Sequence, residues 1–307
     1  MVICVQIAVR VASRHAGTVT GGSYSEPFLG GILMANFHVI AGAHETITRP
    51  RVRTIDTDDL WDALARGFED FKAKPSHLVF LGMLYPIAGL CLAALTFSEE
   101  SMHLVFPLVS GFALIGPFAA IGLYEISRRR ELGLDTSWQH AFDILRAPSI
   151  PSIFALGLLL MAIFAAWIGA AEMLYSWLYG NYAPQSYPAF LGEVLTTPRG
   201  WALIILGHIV GLVFAVVVLA ISVVSFPLLL DRDVGAGIAV ETSVKAVMEN
   251  PKTMAIWGLI VAGLLIIGSV PFLAGLAVVV PVLGHATWHL YRKVVERDVD
   301  QELAATE

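Results

Sequence analysis

Charge is what this chain has least of. Only 14% of its 307 residues are charged, where a soluble domain carries ~25%. The mean hydropathy of +0.73 points the same way. Cysteine is nearly absent: Cys4 lies at the N-terminus and Cys91 inside an apolar run. That excludes a disulfide framework and a CxxC metal site. The net charge of −6 offers no basic stripe for a nucleic-acid partner. No GxSxG, HExxH or P-loop pattern occurs, so no motif assigns a reaction and nothing in the sequence supports an enzyme.

Long uncharged stretches are what the chain does have. Four run from Pro75 to Ser98, Ser101 to Tyr124, Ala147 to Ala171 and Gly200 to Leu230. A fifth, Thr253 to Tyr291, holds 39 residues. As helix it would measure ~58 Å, about twice the ~30 Å hydrocarbon core, so it must fold back. Gly268-Ser269-Val270-Pro271 is the natural turn. The expectation is an all-α membrane protein with six transmembrane helices near 77–97, 104–124, 152–174, 203–229, 253–269 and 272–291. Of the 19 Lys and Arg residues, six spans leave only Arg199 on one side and the other 18 on the opposite side. The positive-inside rule then places both termini in the cytoplasm of a bacterial inner membrane, with the lipid bilayer as the first partner. The outer loop 175–201 carries Tyr175, Trp177, Tyr179, Tyr182, Tyr187 and Trp201, the composition of an aromatic belt.

A weak repeat overlies the spans. Three amphipathic segments, Thr57 to Lys74, Thr136 to Ala147 and Val240 to Asn250, each end on a proline: Pro75, Pro148 and Pro251. Each then enters a pair of spans. The first sets Leu60, Trp61, Leu64, Phe68 and Phe71 at helical spacing, the second puts Trp138, Phe142 and Leu145 on one face, and the third carries Val244, Val247 and Met248; such helices would lie along the cytoplasmic interface. The architecture expected is three hairpins, each preceded by a short amphipathic cytoplasmic helix. Residues 1–48 read as a disordered tail, with Met34 as an alternative start; 49–298 form the transmembrane domain and 299–307 a cytoplasmic tail.

The histidines are the candidates for cofactor binding. His285 and His289 share a helix face at i, i+4, which suits chelation or haem ligation. Polar packing at the interface is the commoner use of such a pair, and no third ligand is evident. His208 lies two turns inside the fourth span, where an ionisable group is a functional hypothesis by default and a hydrogen bond to a neighbouring helix the usual explanation. Tyr124, Glu125 and Glu172 are candidates for lining a cavity. Glu125 precedes Arg128-Arg129-Arg130 and is expected to pair there, and Asp231-Arg232-Asp233 reads as a local ion-pair cap. The glycines and prolines of the second span, Pro107 and Pro117 among them, suggest close packing and a kink.

Several segments carry a resemblance: Pro50-Arg51-Val52-Arg53-Thr54-Ile55, the run Phe106 to Ala120, Gly122-Leu123-Tyr124-Glu125, Ser225-Phe226-Pro227, and Pro281 to Arg292. Together they resemble an uncharacterised family of predicted bacterial integral membrane proteins, a domain of unknown function, over about Pro50 to Val295. Some members are labelled cytochrome c oxidase subunits. A haem–copper catalytic subunit needs enough membrane histidines to hold two haems and a copper. Only His77, His103, His208, His285 and His289 lie in or near spans, so the label implies an associated subunit at most. Three functions are therefore expected as alternatives: a non-catalytic scaffold or accessory subunit of a membrane complex, a respiratory one included; a carrier of a lipid or small apolar molecule; and a haem or metal protein. No cofactor is assigned.

Overall fold

A computed structural model describes residues 49–74, 103–112, 116–137, 147–180, 186–271 and 274–297. Among them the secondary structure is helical apart from one isolated bridge, Val52 with Val295. The helices are α1 (Thr57–Ala73), α2 (Val105–Phe112), α3 (Gly116–Ala119), α4 (Ile121–Glu131), α5 (Ile150–Tyr179), α6 (Tyr187–Thr196), α7 (Pro198–Ser222), α8 (Ser225–Asp231), α9 (Ala236–Glu249), α10 (Pro251–Ser269) and α11 (Leu276–Val294). Three are long and apolar enough to cross a membrane: α5, α7 continued through α8, and α10.

Local chemistry sets the ends. Asp56 caps α1 by accepting from the Asp58 and Asp59 amides, and the Asp59 carboxylate returns a bond to the Asp56 amide. Proline occupies the first turn of α5, α6, α7 and α10, where its missing N–H costs no helical bond. Gly180 ends α5 at a positive φ of 63°, a backbone that glycine adopts without strain. The fourth expected span breaks at Val223–Val224, and the Ser243 hydroxyl accepts the freed Val224 amide at 3.2 Å.

The expected spans fare unevenly. Those at 152–174, 203–229 and 253–269 coincide with the three long apolar helices. The span at 77–97 lies outside the described residues. In the one at 104–124, residues 113–115 lie outside the described residues and a turn at Ala120 separates α3 from α4, with Pro117 at the start of α3. The last is a helix displaced to 276–294, after a turn in which the Ala274 amide bonds the Pro271 carbonyl. Gly268 and Gly275 touch across this turn, where an added Cβ would approach the other glycine's backbone to about 3 Å.

The buried core lies at one end of the long helices. It takes Ile153, Leu156 and Leu160 from the start of α5, Val218 to Val224 from the end of α7, and Phe226, Leu228 and Leu229 of α8. Met254 and Trp257 come from the start of α10, and Leu283 to Val294 from the end of α11. Helices α1, α4 and α9 complete this base. Away from it, Leu158, Leu212 and Leu259 stand exposed, as side chains do on helices that face lipid. At the far end, His103 stacks on Tyr175 with ring centroids 4.0 Å apart, and the Trp167 indole donates to the Pro107 carbonyl at 2.8 Å.

The amphipathic helices bury only part of their large apolar residues and seat themselves through small ones. Helix α1 buries Leu60, Ala63, Gly67 and Asp70, and leaves Trp61 and Phe68 exposed. Helix α9 buries Ala239, Thr242, Ser243 and Ala246, and leaves Met248 out. Small residues let backbones approach. A Cβ on Gly67 would sit 2.5 Å from the Ala286 amide nitrogen. The segment of the middle unit, 138–146, lies outside the described residues. Ahead of α1, the Arg53 amide bonds the Val294 carbonyl and the Glu296 amide bonds the Arg51 carbonyl. Asn250 accepts from the Ile55 amide and donates to the Arg53 carbonyl.

Candidate functional site

Helices α1 and α11 run antiparallel in the base, as Lys293 meets Asp59 at 2.9 Å and, two turns along α1, Gly67 meets Ala286. The next turn of α1 brings Asp70 against α11 and α4, where the chemistry-bearing side chains collect. Ser127 and Arg130 face it from α4, and His285 and His289 from α11. Gly284 permits this approach, for a Cβ there would sit 2.4 Å from Leu123 Cδ1 of α4.

Asp70 is buried and accepts three donors: the Ser127 hydroxyl at 2.6 Å, His289 Nε2 at 2.8 Å and Arg130 Nη1 at 2.6 Å. Ser127 has given its hydrogen to Asp70, so its oxygen accepts from His285 Nδ1 at 2.8 Å. That assigns the Nδ1–H form to His285, which is wholly buried. Burial alone would raise the Asp70 carboxyl. The hydrogen bonds from His289 and Ser127, with the neighbouring histidine charge, outweigh it and hold the group below the usual carboxylate range.

A carboxyl depressed in the folded state adds stability above its unfolded pKa of ~3.9 and loses it as pH falls through the folded value. Asp62, held down by its hydrogen bond to Lys293, acts in the same direction. Melting of the detergent-purified protein is therefore expected to be insensitive to Asp70 between pH 7 and about 5, and to fall steeply below about pH 4. Asp70→Asn should flatten that acid limb. An unchanged acid profile in the variant would remove Asp70 from the account.

A second network adjoins the first. Glu131 accepts from the Trp288 indole at 3.1 Å, from Arg292 at 3.0 Å and from Arg297 at 2.7 Å. Asp231 accepts from the Tyr291 hydroxyl at 2.6 Å and from Arg292 at 3.2 Å. Arg292 thus ties α4 to α8, and Asp231 reaches beyond the local cap expected of it. A cleft of about 430 Å³ opens beside Asp70 between α1, α4 and α11, lined throughout by polar and charged side chains.

The arrangement is unsuited to nucleophilic catalysis. A serine nucleophile needs a histidine base to take its proton. Ser127 instead donates straight to the carboxylate and is fully buried. Among the described residues no group of three metal-ligating side chains converges.

The remaining candidates are spread through the molecule. His208 is exposed on α7, with Nδ1 on the Ile204 carbonyl of its own helix at 2.7 Å and its ring against Phe106. It does not join His285 and His289. Tyr124 is buried in the core. Glu125 is buried against Arg128 at 2.7 Å and Arg129 at 3.5 Å. Glu172 pairs with His103 at 2.5 Å, where the Tyr175 and Tyr179 rings stack and Arg199 covers Tyr179. Sequence reasoning singled out the histidine pair and missed Asp70 and Ser127. One signal was present: Asp70 extends the stripe Leu60, Ala63, Gly67 at helical spacing, so it is an acid on the closest-packed face.

Residues 105–231, from the start of α2 to the end of α8, match the model of a family described as Predicted integral membrane protein (DUF2189). The match is narrower than the resemblance over Pro50 to Val295. No curated protein and no solved structure matches.

Proposed function

We propose that this integral membrane protein crosses a bacterial inner membrane six times, as three hairpins, and serves as a non-catalytic scaffold or accessory subunit of a membrane complex. One observation carries the functional part. The charged and polar side chains gathered at the base form adjoining networks whose hydrogen bonds fix helices to one another, while the apolar faces of α5, α7 and α10 stand open to lipid or to other helices.

Parity supports the crossing number. The ends of α1, α4, α5, α7, α10 and α11 that reach the base require an even number of crossings between consecutive visits. His103 meets the far end of α5, which fits a crossing on either side of it in the proposed scheme. Helices α5, α7 with α8, and α10 are long and apolar enough for three of the other four, and the proposed sixth falls on the stretch that ends in α11. The pairing of Val52 with Val295 keeps both flanks of the domain on one side. Arg128 to Arg130, Arg292 and Lys293 all belong to the base, which the positive-inside rule puts in the cytoplasm.

Single cysteines test the orientation in a background lacking Cys4 and Cys91. Thr196→Cys is expected to react with an impermeant maleimide in intact cells, and Glu249→Cys only after permeabilisation. Equal labelling of both in intact cells would defeat the topology. The scaffold role predicts a stoichiometric partner that co-elutes in mild detergent; a clean monomer from native membranes would defeat it. The carrier reading would need a membrane-open pocket lined by Tyr, His or Glu between the hairpins, whereas the cleft among the described residues lies at the base. The haem or metal reading would draw on His208, His285 and His289, and an optical spectrum with metal analysis of the purified protein decides it.

A further inference from the structure

The cleft beside Asp70 holds arginine donors that the internal network does not use up. Five permanent cations line it, Arg66, Arg130, Arg292, Lys293 and Arg297, against three carboxylates. Each cation has an acidic partner, yet a guanidinium carries five N–H donors. Arg66 spends only Nε, on Asp62. Arg130 spends only Nη1, on Asp70, and Arg297 only Nη2, on Glu131. Most donors of these three arginines therefore have no protein acceptor among the described residues. They come from three places in the chain, α1, α4 and the segment after α11, and their side chains are 60%, 39% and 47% exposed.

We propose that this cleft binds a phosphate-bearing anion. Guanidinium forks suit carboxylates and phosphates alike. Donors arriving from three directions suit a tetrahedral group with several oxygens better than a planar one with two. His289, held on Asp70, adds a ring at the wall. One source of the anion is the headgroup of an acidic phospholipid, and the other is a soluble phosphate ester. The neighbourhood favours the headgroup: two residues on from Arg66, on another face of α1, exposed Phe68 carries the Lys72 ammonium 5.0 Å above its ring. Such aromatic and basic residues mark the headgroup level. The phosphate chemistry does not depend on which side of the membrane the base faces, nor on the scaffold role.

The test uses the full chain in neutral detergent. The probes are dihexanoyl phosphatidylglycerol, dihexanoyl phosphatidylcholine, glycerol 3-phosphate and inorganic phosphate, read by native mass spectrometry and by the melting of tryptophan fluorescence. Phosphatidylglycerol is expected to bind saturably, one per chain, and to raise the melting temperature, while phosphatidylcholine does neither. The double variant Arg66→Gln/Arg297→Gln, changed only at exposed side chains, should melt as the wild type does and bind at least about tenfold more weakly. The control Lys245→Gln/Lys252→Gln, on α9 and α10, should bind normally. If glycerol 3-phosphate binds as tightly and is lost in the same double variant, the site stands and its source is soluble. Saturation by none of the probes, equal binding of phosphatidylcholine, or undiminished binding by the arginine variant would overturn the proposal.

Discussion

Replacing Gly67 by leucine is expected to lower the apparent melting temperature of the detergent-purified protein by roughly 6–12 °C. Nearest to an added Cβ are the amide nitrogen and Cα of Ala286, at 2.5 and 2.7 Å. These are backbone atoms of a helix and cannot rotate aside. Helix α1 must move off α11, and the contacts formed on that approach, Lys293 with Asp59 and His289 with Asp70, go with it. Overpacking of this kind costs about 3 kcal/mol where nothing yields. Gly169→Ala is the control. Nothing lies within 4 Å of a Cβ there, and the helix former should leave stability level or raise it by up to about 1 kcal/mol. Similar melting of the two variants would show that α1 does not need its close seat.

Removing the Asp70 carboxylate is the second large perturbation. Asp70→Ala leaves Arg130, His289 and Ser127 arranged around an acceptor that is gone, with Ser127 and His285 fully buried. Breaking a buried, hydrogen-bonded ion pair from one side costs about 3–5 kcal/mol, because the partners stay desolvated and unpaired. Asp70→Asn keeps the shape and a hydrogen-bond acceptor and should lose less. A double-mutant cycle with Arg130→Ala separates the pair from its surroundings and should show coupling above about 1 kcal/mol. A loss below about 1 kcal/mol in Asp70→Ala would mean that water reaches and satisfies the donors.

The long helices α5, α7 and α10 were legible because an uncharged run of bilayer length has few other uses. The packing faces were not. Hydrophobicity pointed to Trp61 and Phe68 on α1 and to Met248 on α9, and all three are exposed. Where lipid or an interface surrounds a helix, large apolar residues lose their value as markers of the inside. Small residues such as Ala63, Gly67 and Ala246 take over that role. The break in α7 at Val223 could not be read from two valines, since it depends on Ser243 arriving from α9 to accept a backbone amide. In the site, the spacing of His285 and His289 announced a shared face. Their partners stand 158 and 219 residues away in sequence, at Ser127 and Asp70. No local pattern links such positions. Only the unusual placement of an acid on the small-residue stripe of α1 hinted at the meeting.

The strand-like pairing of Val52 with Val295 and the Ile55 bond to Asn250, which joins residues 195 apart, bear on how the molecule is made. Residues near position 50 leave the ribosome among the first of the described chain, and their partners among the last. Hairpins can enter the bilayer one after another during synthesis, but the base closes only once α11 has emerged. Until then the Arg53 amide, the Arg51 carbonyl and the Gly67 face of α1 are uncovered. A chain terminated before residue 294 would be inserted yet unlatched, and the cell's membrane proteases would have an open end to grip.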